Sequence, residues 1–493
     1  MTTRREFLKH TLQWSAAIAA QAQVRDSVAR EPTGIEVNDV QSQLNATSVH
    51  RIIQPQSVNS IRAALKDAQR EGRAVSVASG RHAMGGQQFG RDTILFDMKQ
   101  LNRVIHFDKS KGQIEVEGGI EWPELIDYLN REQVGERESW TIKEKQSGVD
   151  RVSLAGSLAS NIHGRGLQFP PIIADVESFV LVDGNGKIHT CDRGENPELF
   201  ALAIGGYGLF GIISQVTLRL VRRSKLQRTV EILPIKNLLP RVAQRIEDGF
   251  VYGDCQYATY LEDEAEAHPG IFSCYRPVDP DTPIAADLRA LGPDDWAELY
   301  KLARTDKRKA FETYAEYYRA TSGQFYWSDH HLLAGSFDGY RQAVDPRRGT
   351  EVITEIYVSK DAFLPFMAQV RQDFIDHHVD MTYGTIRFIE KDEESFLAWA
   401  REPSVCIICN LHVIHTDKGL QKAAQDFRRI IDRAIQHQGR YYLTYHRWAT
   451  RDQIAACYPQ FVEFLKLKKK YDPQECFQSE WYRHNKSLFA DAL

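Results

Sequence analysis

Residues 79–87, Ser-Gly-Arg-His-Ala-Met-Gly-Gly-Gln, are delivered by a strand-like run, AVSVAS (74–79). Gly80, Gly85 and Gly86 carry no Cβ, so the chain can turn sharply there and bring backbone N–H groups against an anion such as a diphosphate. The stretch reads as a phosphate-cradling turn, with an ordinary hairpin as the alternative. Two further glycine-rich runs, LAGSLASNIHGRG (154–166) and GGYGLFG (205–211), also sit among strand-like segments. Three such loops in one region need a shared cause, and a phosphate-bearing cofactor supplies one.

The third run contains a GxGxxG (Gly206, Gly208, Gly211), but a dinucleotide-binding Rossmann turn needs a helix to follow. The chain continues instead as IISQVTLRLV, in which Val216, Leu218 and Leu220 alternate with polar neighbours at the period of a strand. In order, the chain presents SGRHAMGGQ, ILFDMKQLNRV (94–104), IEVEGGIEWPELIDYL (114–129), LAGSLASNIHGRG, VESFVLVDGNGKIHT (176–190) and PELFALAIGGYGLFGIISQVTLRLV (197–221). This ordered set, from about Pro55 to about Arg222, resembles the FAD-binding domain of the vanillyl-alcohol oxidase and p-cresol methylhydroxylase family. The resemblance implies FAD in an extended pose, its diphosphate on the first loop and its flavin pointing at a second domain. Residue by residue, it implies cofactor contacts from Gly80, Arg81, His82, Ala83, Met84, Gly85, Gly86 and Gln87, and flavin-side contacts from Gly156, Ser157, Asn161, His163 and Gly164. Ile212 and Ile213 would hold the adenine end by backbone bonds. The resemblance also implies a covalent bond from His82 to the flavin 8α-methyl, although Ala83 stands where serine is usual. A histidine that only hydrogen-bonds phosphate is the other reading. Residues 131–155 contain no cysteine, so any tether is single.

The resemblance and the pattern together predict an α+β protein: a two-subdomain FAD-binding domain of the p-cresol methylhydroxylase type, plus a cap domain with an antiparallel sheet flanked by helices. The expected boundaries are a signal at 1–24, the flavin domain at 45–222, the cap at 223–440, and a carboxyl-terminal segment, 441–493, that returns to the flavin domain. With 493 residues, 42% hydrophobic and 26% charged, the chain can bury two cores. Its net charge of −4, with both signs interspersed, offers no basic stripe for nucleic acid. KLKKK (466–470) reads as a solvated helix end. TRREFLK (3–9) followed by LQWSAAIAA looks like a twin-arginine export signal, which predicts a periplasmic or secreted protein. A disordered basic tail on a cytoplasmic protein is the alternative. No segment reaches the roughly 20 apolar residues of a membrane span, so no stable membrane insertion is expected.

The seven cysteines lack a framework-like spacing. Cys406 and Cys409 form a CxxC on a strand, where residues three apart face opposite sides, so no metal site is expected there. Ser57 to Gly72 reads as an amphipathic helix capped by Ser57, Asn196-Pro197 opens a second short helix, and Pro293 to Ser322 is a charged helical insertion.

Within the cap, CQYATY (255–260), EVITEIYV (351–358), TYGTIRFI (382–389), VCIICNLHVIH (405–415) and YYLTYHRW (441–448) read as strands of one antiparallel sheet. Alternation places Thr385 with Arg387, Asn410 with His412, and Glu355 with Tyr357. Polar groups among β-branched and aromatic residues are costly to bury without partners or a ligand, so this face reads as a polar floor above the flavin. The expected roles are His446 as base or proton relay, Arg387 as stabiliser of a developing alkoxide or of reduced flavin, and Asn410 and His412 as hydroxyl-orienting groups. The bland alternatives are a salt bridge of Arg387 to Glu355 or Glu390, a satisfied core His412, and a backbone-bonded Asn410. The strand of Thr385 and Arg387 is similar to one in sugar and polyol oxidases of the family, with Thr385 where an acid is expected.

The resulting expectation is an FAD-dependent oxidase or dehydrogenase. It would act on the CH–OH carbon of a polyol, sugar or aldonolactone and pass electrons to oxygen or a carrier. The alternatives are a less polar alcohol or hydroxy acid oxidised with a periplasmic electron carrier, and a non-enzymatic, flavin-free relative. No nicotinamide-specific motif supports an NADPH-using reductase.

Overall fold

The computed structural model describes residues 34–261, 268–334, 337–345 and 347–493. The export-signal reading of residues 1–24 lies outside the described residues. Strands β1 (Arg51–Ile53), β2 (Val75–Ala78) and β3 (Ile94–Asp97) form a parallel sheet with β3 in the middle. Helix α1 (Val58–Arg70) covers it. Ser57 accepts a hydrogen bond from the Ser60 amide, and Ile61, Ala64, Leu65 and Ala68 recur at helical spacing on the buried face. Full burial of Ile61 and Leu65 contributes about 1.5–3 kcal/mol each.

Five strands make a second, antiparallel sheet: β4 (Val104–Asp108), β5 (Gln113–Glu117), β6 (Val176–Val182), β7 (Ile188–Cys191) and β8 (Ile212–Arg219), in the order β7-β6-β8-β5-β4. The glycine-rich run at 154–166 contains helix α2 (Leu154–Ser160), not an open loop, because Ser153 caps it by accepting from the Gly156 amide. Helix α3 (Pro197–Ala203) forms as expected, but Asn196 does not cap it. Its backbone is left-handed and its side-chain amide donates to the Thr190 carbonyl. As the alternation after Gly211 predicts, the third glycine run enters strand β8 and no helix.

An eight-stranded antiparallel sheet follows β8 in the chain. It comprises β9 (Lys225–Pro234), β10 (Tyr252–Tyr257), β11 (Pro269–Pro277), β12 (Phe325–Trp327), β13 (Gly349–Val358), β14 (Met381–Ile389), β15 (Ser404–Ile414) and β16 (Arg440–Tyr441). Their order is β12-β9-β11-β10-β14-β15-β13-β16. Helices α4 (Pro293–Thr305) and α5 (Lys307–Ala320) fill the charged insertion. Two strand expectations are corrected. The strand expected at 255–260 lies at Tyr252–Tyr257, because the amide of Ala258 already turns to the Pro269 carbonyl. The strand expected at 441–448 ends at Tyr441: the carbonyls of Leu443 and Thr444 serve the first glycine loop instead of a neighbouring strand.

The carboxyl-terminal segment joins the parallel sheet. Val75 pairs in parallel with Phe477, the Val75 amide donates to the Cys476 carbonyl, and the Gln478 amide donates to the Val75 carbonyl. Among the described residues no helix is long and apolar enough to cross a membrane.

Candidate active site

A cavity of about 600 Å³ opens between the three glycine-rich segments and the large sheet, within the range that ligand pockets occupy. The first loop forms one end. Its carbonyls point away and are tied down: that of Arg81 accepts from Val40, that of Ala83 from Gln88, and that of Met84 from Asn45. Trp481 donates to the Gly86 carbonyl, so the returning tail grips the far side of the loop. Arg81 is left-handed at φ 60°, which re-aims its neighbours' amides. The amides of Gly80, Arg81 and Ala83 meet no acceptor among the described residues, and the buried Ser79 hydroxyl is likewise unpartnered. Buried donors are almost always satisfied, so a set of them on a cavity wall is built for an anion. An FAD diphosphate fits this cradle.

His82 lines the same end, its Nε2 3.1 Å from the Arg151 carbonyl, and burial pushes its imidazole down to about 4 against that bond. Gly80, Arg81, Ala83, Met84 and Gln87 also line the cavity. Gly85 and Gly86 do not. The amide of Gly85 is bound by Gln87, and Gly86, at φ 77°, faces Asn45, Arg447 and Glu480. Their glycines serve the turn and the tail, which corrects the expectation of cofactor contact.

Of the second motif, Gly156 and His163 reach the cavity. Ser157, Asn161 and Gly164 lie behind it. Ser157 accepts from the Trp122 indole, Asn161 donates to Asp392 and Ser395, and Gly164 donates to Glu144. These three brace the wall from behind and do not line the cavity. Ile212 and Ile213 line the cavity where β8 starts, and along one edge they pair with Val182 and Leu181.

The large sheet supplies the polar floor. Thr385 stands opposite Ile408 and Gln256, and Arg387 opposite Cys406, so Gln256, Thr385, Arg387 and Asn410 share the cavity face. The carboxylate of Glu355 accepts from His163 Nε2 at 2.8 Å, Tyr357 at 2.8 Å and Tyr445 at 2.6 Å. Burial alone would raise this carboxyl, but the facing His163, Arg387 and Tyr445 reverse the effect and hold it at about 2. Cys406 lies 3.8 Å from both His163 and Glu355, but burial pushes its thiol well up. A thiol kept protonated beside a carboxylate already bonded on both oxygens reads as packing.

Two expected catalytic groups are displaced. His412 shares the sheet face of Asn410 and Glu351 but does not line the cavity, its Nδ1 lying 3.0 Å from Glu351, which does. His446 is corrected outright. The turn after Tyr441 carries it out of the cavity into a stack with Phe427 at 4.6 Å and Trp448 at 5.4 Å. Burial there pushes its imidazole down to about 3. It stays neutral in the folded chain, whereas an unfolded histidine protonates below about 6.5. His446 therefore costs stability as pH falls from about 6.5 towards 3, and is without effect above that window. Replacing it with phenylalanine is expected to leave turnover unchanged and to flatten the acid side of a plot of Tm against pH. A collapse of turnover with an unchanged acid limb would restore it to the chemistry.

Pattern reading missed two groups of consequence. Asp254 on β10 is 3% exposed and faces the cavity, and its carboxylate has no hydrogen-bond or ion-pair partner among the described residues. Continuing the register from Cys255 opposite Ile386 brings it opposite Arg387. Arg165 is 9% exposed and also lines the cavity. A buried, unpartnered Ser, Asp or Arg is a signal that only the tertiary structure carries.

Comparison with known proteins identifies the cofactor class. Residues 49–192 match the family described as FAD binding domain. This chain carries an FAD-binding domain. The FAD-binding domain contains the first two loops and the first two sheets up to β7. Over 194 residues, the chain is 27% identical to L-gulonolactone oxidase of Bos taurus, a stretch that is 39% of this chain and 42% of that enzyme. Over 447 residues, it is 23% identical to L-gulono-1,4-lactone dehydrogenase of Mycobacterium tuberculosis, covering 88% of this chain and 95% of that one. L-galactono-1,4-lactone dehydrogenase 1 of Oryza sativa is 27% identical over 194 residues, 38% of this chain and 32% of its own. The match thus spans about two fifths of the bovine enzyme's length and nearly all of the mycobacterial one.

Proposed function

We propose that this chain is an FAD-dependent oxidoreductase that oxidises a CH–OH carbon of a small hydroxylated substrate to a carbonyl, and passes the electrons to oxygen or a carrier. The observation that carries the reading is one cavity with, at one end, a cradle of donors that meet no acceptor among the described residues and, at the other, a polar floor. The names of the three relatives given above, each an aldonolactone oxidase or dehydrogenase, support the substrate class.

Bound FAD would supply a two-electron, hydride-accepting ring. The chain's own residues do the rest. The amides of Gly80, Arg81 and Ala83 and the Ser79 hydroxyl hold the diphosphate. Asp254 takes the hydroxyl proton as the carbinol becomes a carbonyl, because Glu355 and Glu351 are each closed on a histidine and Asp254 is not. Arg387 and Asn410, whose Nε and Oδ1 are buried without partners, orient the substrate oxygens. His163, bonded to Glu355, braces the wall between loop and floor.

The same reading takes 45–222 as a flavin domain of two subdomains, the parallel sheet and the five-stranded sheet, with 223–440 as the cap and 441–493 as the returning tail. Twin-arginine export and a periplasmic or secreted location belong to it as well and rest on TRREFLK alone. A covalent bond through His82 is part of the proposal. Yellow colour should stay with acid-precipitated protein and pass to the supernatant in His82→Ala. Anaerobic addition of polyols, lactones and hydroxy acids is expected to bleach the visible flavin band, while NADPH leaves it unchanged. Bleaching by NADPH alone would replace this reading with a reductase.

A further inference from the structure

We infer that the substrate carries a carboxylate, held by Arg165 and Arg387, so that the alcohol oxidised belongs to a sugar acid or other hydroxy acid. The inference rests on the proposed oxidation of an alcohol in this cavity and adds the chemical class of the molecule oxidised. Its basis is an imbalance of buried charge. Arg387 is 7% exposed, its Nε is buried without a partner, and it makes no hydrogen bond or ion pair among the described residues. The guanidinium of Arg165 is bonded only through Nε, to Ser147 Oγ at 3.3 Å. Its pKa is nevertheless raised: burial works against the charge, while Asp254 and the oxygens of Tyr275 and Tyr318 outweigh it.

Of the other cationic groups near the cavity, Lys145 is answered by a carboxylate and Arg228 by neutral groups alone. Arg228 donates to Tyr275 and Thr321 and lies over the Tyr326 ring at 4.7 Å, and Lys145 pairs with Asp150 at 2.8 Å. The acids near by are spoken for as well. Glu355 and Glu351 are closed on His163 and His412, and Glu144, whose pKa is pushed up chiefly by burial and then by Asp175, accepts from the Gly164 amide. The guanidinium groups of Arg165, Arg228 and Arg387 thus line the cavity with no carboxylate within ion-pair distance among the described residues, and Asp254 is the lining acid that no histidine closes off. An unpaired buried charge is costly enough that a ligand is expected to complete it. A planar fork of donors suits a carboxylate, which it can bind through two parallel hydrogen bonds.

The holoprotein is tested anaerobically with matched pairs, glycerate against its methyl ester and gluconate against its lactone, together with glycerol phosphate. Perturbation of the flavin spectrum gives the Kd and bleaching gives the rate. The acids are expected to bind at least about tenfold more tightly than their neutral partners, a ratio that corresponds to one charge-assisted contact. Arg165→Gln should abolish that advantage, and Arg165→Lys should restore part of it. Neutral partners binding as well as or better than the acids, or glycerol phosphate binding better than glycerate, overturns the inference. The wild-type comparison decides this even if a variant fails to fold. Acids that bind through Arg165 without any bleaching would uphold the carboxylate site and remove the oxidation reading. Bleaching by lactones alone would uphold oxidation and remove the carboxylate. No perturbation by any compound removes both.

Discussion

Replacing Asp254 with asparagine is expected to lower the first-order rate of flavin bleaching by about 10²- to 10⁴-fold, the usual contribution of a positioned acid or base. The side chain keeps its shape and nearly its volume, so packing around β10 is unchanged and Tm should hold. What disappears is the one carboxylate on the cavity wall that no histidine or arginine side chain closes off within ion-pair distance among the described residues. Substrate binding should move the other way. With Asp254 neutral, Arg165 and Arg387 face the cavity unopposed, so an acidic substrate should bind more tightly while reacting more slowly. A glutamate at the same position should recover part of the rate. Stopped-flow bleaching with a Kd from its concentration dependence separates these effects. A rate that is unchanged in Asp254→Asn would assign the proton to another group.

Truncation of Glu355 to alanine is expected to cost about 3–5 kcal/mol of stability, the range for removing one partner of a buried ion pair. Three donors would lose their acceptor at once: His163, Tyr357 and Tyr445. Tyr357 stacks on Trp399 at 4.4 Å and 23°, so its hydroxyl cannot swing to water without breaking that contact. The glutamine variant tests charge separately from shape. In the wild type the Glu355 carboxyl is held at about 2, below an unfolded value near 4.5. Its stabilisation is therefore fully present above about 4.5 and is lost as pH falls towards 2. Glu355→Gln should lack that component of acid sensitivity and be less stable than wild type at neutral pH. Equilibrium unfolding of the three proteins at several pH values measures both effects, and an alanine variant as stable as wild type would refute the buried network.

The parts of this site that the sequence discloses are those governed by local rules. Glycines after a strand announce the first loop, the period of two after Gly211 excludes a Rossmann helix, and alternation along β14 and β15 places Arg387 and Asn410 on one face. What escapes it depends on which side of the chain meets a distant segment. Gly85 and Gly86 look no different from Gly80 in sequence, but the returning tail claims them. His446 sits in an apparently alternating run, yet the carbonyls of Leu443 and Thr444 are taken by Gln87 and Met84, the strand stops, and the imidazole turns into an aromatic stack. Asn161 and Ser157 belong to the motif and brace it from behind. Asp254 and Arg165 stand out only once burial and the lack of a carboxylate–guanidinium bond can be seen together. Local pattern locates the walls of the cavity, and the tertiary pairing decides which residues look into it.

The most direct measurement is the flavin content of the folded protein. Purified full-length chain, or chain incubated with excess FAD and freed of unbound ligand, should contain one FAD per polypeptide with the visible absorption of a bound flavin. Ser79→Val, which removes the cradle's unpartnered hydroxyl and fills its place, should weaken uptake while circular dichroism stays native. A folded, colourless wild-type protein that takes up no FAD in excess would contradict the assignment of the loop at 79–87, and with it the chemistry built on it.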